Sequence, residues 1–402
     1  MKKVALFVLL VLFAFTSIFA ASNKIVVWSS EKQVDFMKAF GEKFTRDTGI
    51  LVEVQQVNFG DIKSKFLTAA QAGEGPDIIV GAHDWVGELV ENGLIDSIPF
   101  SAIETSKFAE SGLNAFTVNG KLYGIPYAIE AIALLYNKDY VEEAPKTIEE
   151  LKSIAAEYTT DETLGFVYDA GNFYFSYGFI AGNGGYVFKW TKENGYDVND
   201  LGLANDGAIK GAELIKSFFD EGLIPQGANY GTMDSMFKDG LAAMIINGPW
   251  AVKDYINSGI DFGVLPLTEL DLGNGHFGKP FVGVQGLMIN ARSENKALAK
   301  EFVINYLATK EGIYEFYLAD PRLPARTDVA AIIEEKGGPV PKEIVDAFVK
   351  SAAGGEPMPN VPEMGAVWGP MGDALSQLIN GQLEPAQSLK EAVEKIRTAI
   401  NK

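Results

Sequence analysis

Residues 24–80 restrict the fold more than any other part of the chain. Residues 24–28, KIVVW, have the character of a buried strand. Residues 34–48 then place Phe36, Met37, Phe40 and Phe44 on one helical stripe, which Gly49 ends. Residues 51–57 alternate as a second strand, and Asp61 is placed to cap a helix reaching about Ala72. After Gly75-Pro76, residues 77–80 (DIIV) form a third strand. Strand, helix, strand, helix, strand argues a parallel sheet with helices on both faces. In such sheets ligands bind beyond the carboxyl ends of the strands, here the loops at 29–32 and 81–85.

A chain of 402 residues exceeds one ordinary core and implies two domains. Residues 1–20 stand apart. Lys2-Lys3 precede an apolar run at 4–15, short for a bilayer span, and a small residue, Ala20, marks a plausible cleavage point. This is the pattern of an export signal, with an uncleaved anchor as the weaker alternative. Its removal takes the net charge from −19 to −21, because the segment carries two lysines and no acid. So acidic a surface repels phosphate backbones and anionic lipid, which argues against nucleic-acid or membrane-surface roles. There is no cysteine, hence no disulfide, thiol nucleophile or lipidation site at the cleavage point. His83 and His276 are the only histidines and form no ligand cluster, so no metal or cofactor is expected.

Residues 119–139, NGKLYGIPYAIEAIALLYNKD, have the features of a crossing between two lobes. Asn119-Gly120 is a turn pair, and Pro126 holds the following run extended. Glu130 stands inside an apolar stretch, which is costly unless the carboxylate is paired or faces a wet cleft. An exposed edge residue is the plainer alternative; the functional one puts Glu130 at the rim of a cleft. Helices are expected near 146–158, 208–221 and 296–309, a strand at 241–246, and further crossings at 281–290 and 321–326.

A neutral sugar needs acceptors and donors for its hydroxyls and flat apolar faces for its rings. Residues of both kinds fall on the inferred loops: Glu31 and Lys32, Asp84 and Trp85, Glu130, Tyr174 in an aromatic run, Trp250 at a helix start, and Trp368 in a glycine-rich stretch taken as a loop. Each has a structural alternative. Glu31-Lys32 also suits the start of a solvated helix, the aromatic run suits a core, and Trp28 suits the first strand's buried face. Trp190 reads as exposed without function.

Spaced segments resemble the maltose/maltodextrin-binding proteins, solute-binding components of carbohydrate ABC importers. They are TGI at 48–50, GEGPDIIVGAHD at 73–84, YNKD at 136–139, GNGGYVFK at 182–189, INGPWA at 246–251, KPFVGV at 279–284 and MPNVPEM at 358–364. The resemblance implies an α/β fold of two lobes, each a mainly parallel sheet flanked by helices, joined by about three hinge crossings. It implies a first lobe at 21–128 plus 283–331 and a second at 129–282 plus 332–402. It assigns hydroxyl binding to Glu31, Lys32, Asp84 and Glu130 and ring stacking to Tyr174, Trp250 and Trp368. Maltose, maltotriose or a related oligosaccharide is the implied ligand, membrane permease subunits the implied partner, and a monomer the implied state. Gly81, Trp85, Asn172, Phe173, Gly369 and Gly372 depart from the family pattern, and Trp85 is a candidate to replace the aromatic surface lost at Gly81.

Two other functions use the same residue types. A secreted glycoside hydrolase would need a carboxylate pair with one member kept protonated. A binding protein for a cation such as a polyamine would use the same acids and aromatics.

Overall fold

The computed structural model describes residues 23–273 and 275–401; the export segment at 1–20 lies outside them. The elements that place the site are, in chain order, β1 (Lys24–Ser29), α1 (Val34–Thr48), β2 (Leu51–Gln56), α2 (Phe59–Gln71), β3 (Ile78–Ala82), β4 (Ile125–Glu130), β5 (Ala133–Asn137), β6 (Leu164–Val167), α3 (Phe173–Gly182), β7 (Ala242–Asn247), α4 (Val252–Asn257), β8 (Phe262–Pro266), β9 (Phe281–Ile289), β10 (Leu323–Pro324) and α5 (Gly365–Ile379).

They build two sheets. One runs β10-β4-β9-β3-β1-β2, with β1 parallel to β2 and β3, and β9 antiparallel to β3 and β4. The other runs β8-β5-β7-β6, with β7 parallel to β6 and antiparallel to β5. The α/β architecture is the expected one. The sheets, however, are mixed rather than mainly parallel, because the crossing strand β9 runs against both β3 of the opening βαβαβ unit and β4, and β5 runs against both of its neighbours in the second sheet.

Each sheet has its own apolar core. The first gathers Phe40, Phe44, Phe66, Phe116 and Phe302 among others. The second gathers Phe166, Tyr168, Phe179, Phe218 and Met371. Helix α1 buries Met37, Phe40 and Phe44 and ends on Gly49 at φ 75°, whose N–H donates to the Thr45 carbonyl. Helix α2 starts at Phe59, earlier than expected. Asn58 takes the cap position without a side-chain bond, and Asp61 lies in the first turn, where an acid complements the helix dipole.

Three expectations change with packing. The aromatic run is helix α3, capped by Asn172, whose Oδ1 accepts from the Tyr174 N–H at 3.1 Å; it is apolar on nearly every side and therefore buried. Trp368 lies on helix α5, not in a loop, because Val367, Met371, Ala374, Leu375 and Leu378 form a buried stripe that outweighs the glycines and Pro370. Trp28 is only partly buried, with Nε1 donating to Gln55 Oε1 at 2.8 Å.

The crossings meet at one place. Chain passes from β4 to β5, hence from the first sheet to the second, with only Ala131 and Ile132 between. β4 pairs with β9 at Glu130 and Gly283, and β10 pairs with β4 at Leu323 and Ile129. Glu130, Gln285 and Arg322 are thereby side by side.

Candidate functional site

At this junction Glu130 is buried rather than at a rim, contrary to the sequence reading, and the reason is its partners. Arg322 Nη1 lies 2.8 Å from Glu130 Oε2, and Gln285 Nε2 donates to Oε1 at 2.9 Å. Arg322 Nε also donates to Asp320 Oδ1 at 3.0 Å, and Asp320 Oδ2 accepts from Gln33 Nε2 at 2.7 Å. Burial pushes the Glu130 carboxyl up, while Arg322 and Gln285 pull it back. Burial acts against the Arg322 charge too, but Asp320 and Glu130 outweigh it and hold the guanidinium protonated. Arg322 further lies 5.6 Å from the centroid of the Trp250 ring.

Trp250 begins an aromatic wall. It sits in the short helical turn Pro249–Ala251 after β7, its ring folded over Gly248, where a Cβ would come within 2.1 Å of the ring. Tyr174 lies 6.2 Å from Trp250 and 6.2 Å from Phe281, and Phe281 lies 5.8 Å from Trp368. Trp368 Nε1 donates to Asp84 Oδ2 at 3.1 Å, tying α5 to the turn that follows β3. The Tyr127 and Tyr174 hydroxyls are buried and have no hydrogen-bond partner among the described residues, an arrangement that folded proteins ordinarily avoid. Burial holds both hydroxyls above the ordinary tyrosine range, and Glu130 adds to the effect.

Lys32 and Asp254 face each other across the same gap, Nζ 2.6 Å from Oδ2, with Lys238 Nζ 3.7 Å from the same oxygen. Burial raises Asp254, but Lys32 and Lys238 outweigh it and hold the carboxyl below its usual range. Glu31 is exposed on the turn after β1 and makes no side-chain bond among the described residues.

Trp85 is buried behind Asp84. Its ring fills the space over Gly81, where a Cβ would lie 2.0 Å from Cζ3, and it packs 5.3 Å from Phe59. Gly81→Ala is therefore expected to destabilise the fold by about 1–3 kcal/mol, the usual effect of overpacking. Combining it with Trp85→Ala should cost less than the two single changes together. Urea unfolding of the four proteins measures this, and strict additivity would contradict the steric account.

His83 and Asp84, adjacent and both buried, respond to pH in opposite directions. The Val284 N–H donates to His83 Nδ1 at 3.0 Å, so the ring proton is on Nε2, which donates to the Met358 carbonyl at 2.9 Å. Burial lowers His83 from 6.5 to about 4. Burial raises Asp84 from 3.8 to about 6, against Lys63 and the Trp368 bond. The unfolded chain protonates His83 first, so its contribution to stability is lost as pH falls from 6.5 toward about 4. The folded chain holds the Asp84 proton longer, so that contribution is present at low pH and lost as pH rises toward about 6. Asp84→Asn leaves the His83 slope alone. Its unfolding free energy should fall more steeply than wild type between pH 6.5 and 4 in urea titrations; parallel profiles would refute this.

Of the eight candidates, Asp84, Glu130, Tyr174, Trp250 and Trp368 converge on the junction, and Lys32 flanks it. Glu31 stays at the rim and Trp85 lies behind the wall. Arg322, Gln285, Asp320, Gln33 and Tyr127 were missed. The one available signal was Asp320-Pro321-Arg322, two opposite charges where the segment assigned to a crossing begins.

Besides a small cleft lined by Glu130, Pro249 and Pro321, two wider concavities adjoin the junction. One of about 1290 Å³ opens on the opposite face of β9, lined by Val282 and Val284 with Asn114 on one side and Tyr186, Trp190 and Tyr196 on the other. The second, of about 550 Å³, runs beside Trp368.

Residues 39–343 match the family described as bacterial extracellular solute-binding protein. The chain is 30% identical to the galactooligosaccharide-binding protein of Bacillus subtilis over 94% of its own length and 90% of that protein's. It is 30% identical to the maltotriose-binding protein of Pyrococcus abyssi, over 93% of its length and 81% of that protein's. Among solved structures, the Thermus thermophilus maltotriose binding protein bound with maltotriose superposes with a TM-score of 0.85 at 35% identity, covering 94% of this chain and all of that one.

Proposed function

The chain belongs to the bacterial extracellular solute-binding protein family, and from that premise we propose that it captures a maltooligosaccharide between its two sheets and delivers it to an ABC importer. The observation that carries this reading is the Asp84–Trp368 bond across the gap, next to a buried Tyr174 hydroxyl with no hydrogen-bond partner among the described residues. Trp250, Tyr174 and Trp368 offer ring faces; Asp84, Glu130, Lys32 and Arg322 offer acceptors and donors for hydroxyls. The lobes are taken as 21–128 plus 283–331 and 129–282 plus 332–402, with β4, β9 and the segment at 321–326 as the hinge. Contacts on the Trp368 side and a wide concavity behind β9 suit a closed arrangement that sugar stabilises by touching both lobes.

Charge balance favours a neutral ligand. Glu130 and Asp320 share Arg322, Asp254 has Lys32, and Asp84 has Lys63 nearby. A polyamine needs uncompensated carboxylates. A hydrolase needs a second carboxylate free to act, whereas Glu130 is held by Arg322 and Gln285. The partners are permease subunits, each meeting one lobe, and the chain acts as a monomer outside the cytoplasm after removal of residues 1–20. Among the described residues no helix is long and apolar enough to cross a membrane.

Calorimetric titration with maltotriose, a β-linked galactooligosaccharide and spermidine tests the reading. Saturable heat with maltotriose, recovered uncleaved, is the expected result. Tighter binding of the galactooligosaccharide would reassign the ligand toward that of the B. subtilis relative, shortened products would make the protein an enzyme, and silence with all three would remove the proposal.

A further inference from the structure

Helix α4, which follows Trp250 directly, is held from across the gap at two successive residues. Lys253 Nζ donates to the Leu318 carbonyl at 3.1 Å, and Asp254 Oδ2 lies 2.6 Å from Lys32 Nζ. Val252 and Tyr255 anchor α4 in the core of the second sheet. Leu318 lies on the helix Lys310–Ala319, whose Phe316 belongs to the core of the first sheet, and Lys32 lies on the turn after β1. Both contacts therefore span the gap, and drawing the two sheets apart would break them.

Asp254 also has a partner on its own side. Lys238 Nζ lies 3.7 Å from the same carboxylate oxygen and 2.6 Å from Asp234 Oδ2, close enough to take over Asp254 when Lys32 withdraws. The contacts of Asp234 lead inward. The Tyr255 hydroxyl donates to Asp234 Oδ1 at 2.9 Å, Asn247 Nδ2 donates to the Tyr255 oxygen at 2.6 Å, and Asn247 Oδ1 accepts from the Gly248 N–H at 2.8 Å. Gly248 opens the turn that carries Trp250. A lysine shared by two acids thus connects the contact across the gap to the backbone under the aromatic wall. The Lys32 and Asp254 side chains keep 28% and 42% of their exposure, so dissolved ions reach the pair and screen it. Lys32 has three donors, and the pair leaves it able to reach a sugar hydroxyl as well.

We propose that Asp254 is a positioning residue for capture: as the lobes close on sugar it exchanges Lys238 for Lys32, and the pair so formed adds to affinity without touching the ligand. The inference rests on the maltooligosaccharide reading above, and the two fail differently. Its signature is a salt dependence for an uncharged ligand. The chain is acidic overall, with net charge −19, so general repulsion between the lobes is relieved by salt and would make binding tighter; screening of the Lys32–Asp254 pair acts in the opposite direction. Titration calorimetry with maltotriose should show wild-type affinity falling about threefold between about 0.02 and 0.5 M sodium chloride. Asp254→Asn should bind about three- to fivefold more weakly at low salt and lose the decline, whereas Asp254→Glu should keep it. A loss of packing alone would weaken binding equally at every salt concentration. The wild-type response is a test whether or not the asparagine variant folds. Wild-type affinity unchanged or raised by salt, or a decline that persists in Asp254→Asn, would overturn the role of Asp254 and leave the binding function intact. Absence of maltotriose binding at every salt concentration would overturn both.

Discussion

Arg322→Ala is expected to lower the unfolding free energy of the ligand-free protein by about 3–5 kcal/mol, the usual loss when one partner of a buried ion pair is removed. The size follows from what remains behind. Glu130 and Asp320 are each almost fully buried, and both depend on this one guanidinium. Gln285 and Gln33 donate one hydrogen bond to each carboxylate but supply no charge. The alanine variant must bury two uncompensated carboxylates or protonate them, so its stability should recover partly at low pH. Adding Glu130→Gln removes one of the stranded charges and should restore part of the loss, a coupling that a double-mutant cycle measures. A shift in urea midpoint equivalent to less than about 1 kcal/mol, at unchanged slope, would show that water rather than Arg322 compensates these acids.

The largest effect on binding is expected at Trp250. Trp250→Ala should weaken maltotriose binding by about 2–3 kcal/mol, or roughly 30- to 150-fold, as for a central aromatic anchor. The ring gives up one face to Arg322 and stands beside Tyr174 and Phe175, with Nε1 donating to the Tyr230 hydroxyl at 3.1 Å. Its orientation is thus set before ligand arrives, and little ordering entropy is lost on binding. Trp250→Phe keeps a flat face but loses the Tyr230 bond, and should fall between the two. An alanine variant within about threefold of wild type would mean that the sugar does not stack there.

How far the sequence could be read depended on the range of the physics involved. Stripes and turn residues act locally, so α1, its Gly49 stop and the Asn119-Gly120 turn were legible; that turn has φ 50° and 72° and joins the two-residue strands Thr117–Val118 and Lys121–Leu122. Helix α5 was misread because its glycines and Pro370 signal a loop locally, while the buried stripe that overrides them acts only once the second core exists. Glu130 was recognised as anomalous, yet its partner Arg322 lies 192 positions later and no pattern in one sequence links them. The convergence of Asp84 with Trp368 was available only through the family resemblance. The same resemblance made Gly372 visible as a departure, whereas its place beside the second concavity required coordinates.

Small-angle X-ray scattering of the mature protein, with and without saturating maltotriose, tests the central claim most directly. The radius of gyration is expected to fall with sugar, since Asp84, Lys32, Trp250 and Trp368 meet one ligand from two sides. Trp250→Ala is expected to need correspondingly more sugar for the same change. An unchanged radius at a concentration where calorimetry shows full occupancy would contradict capture by closure.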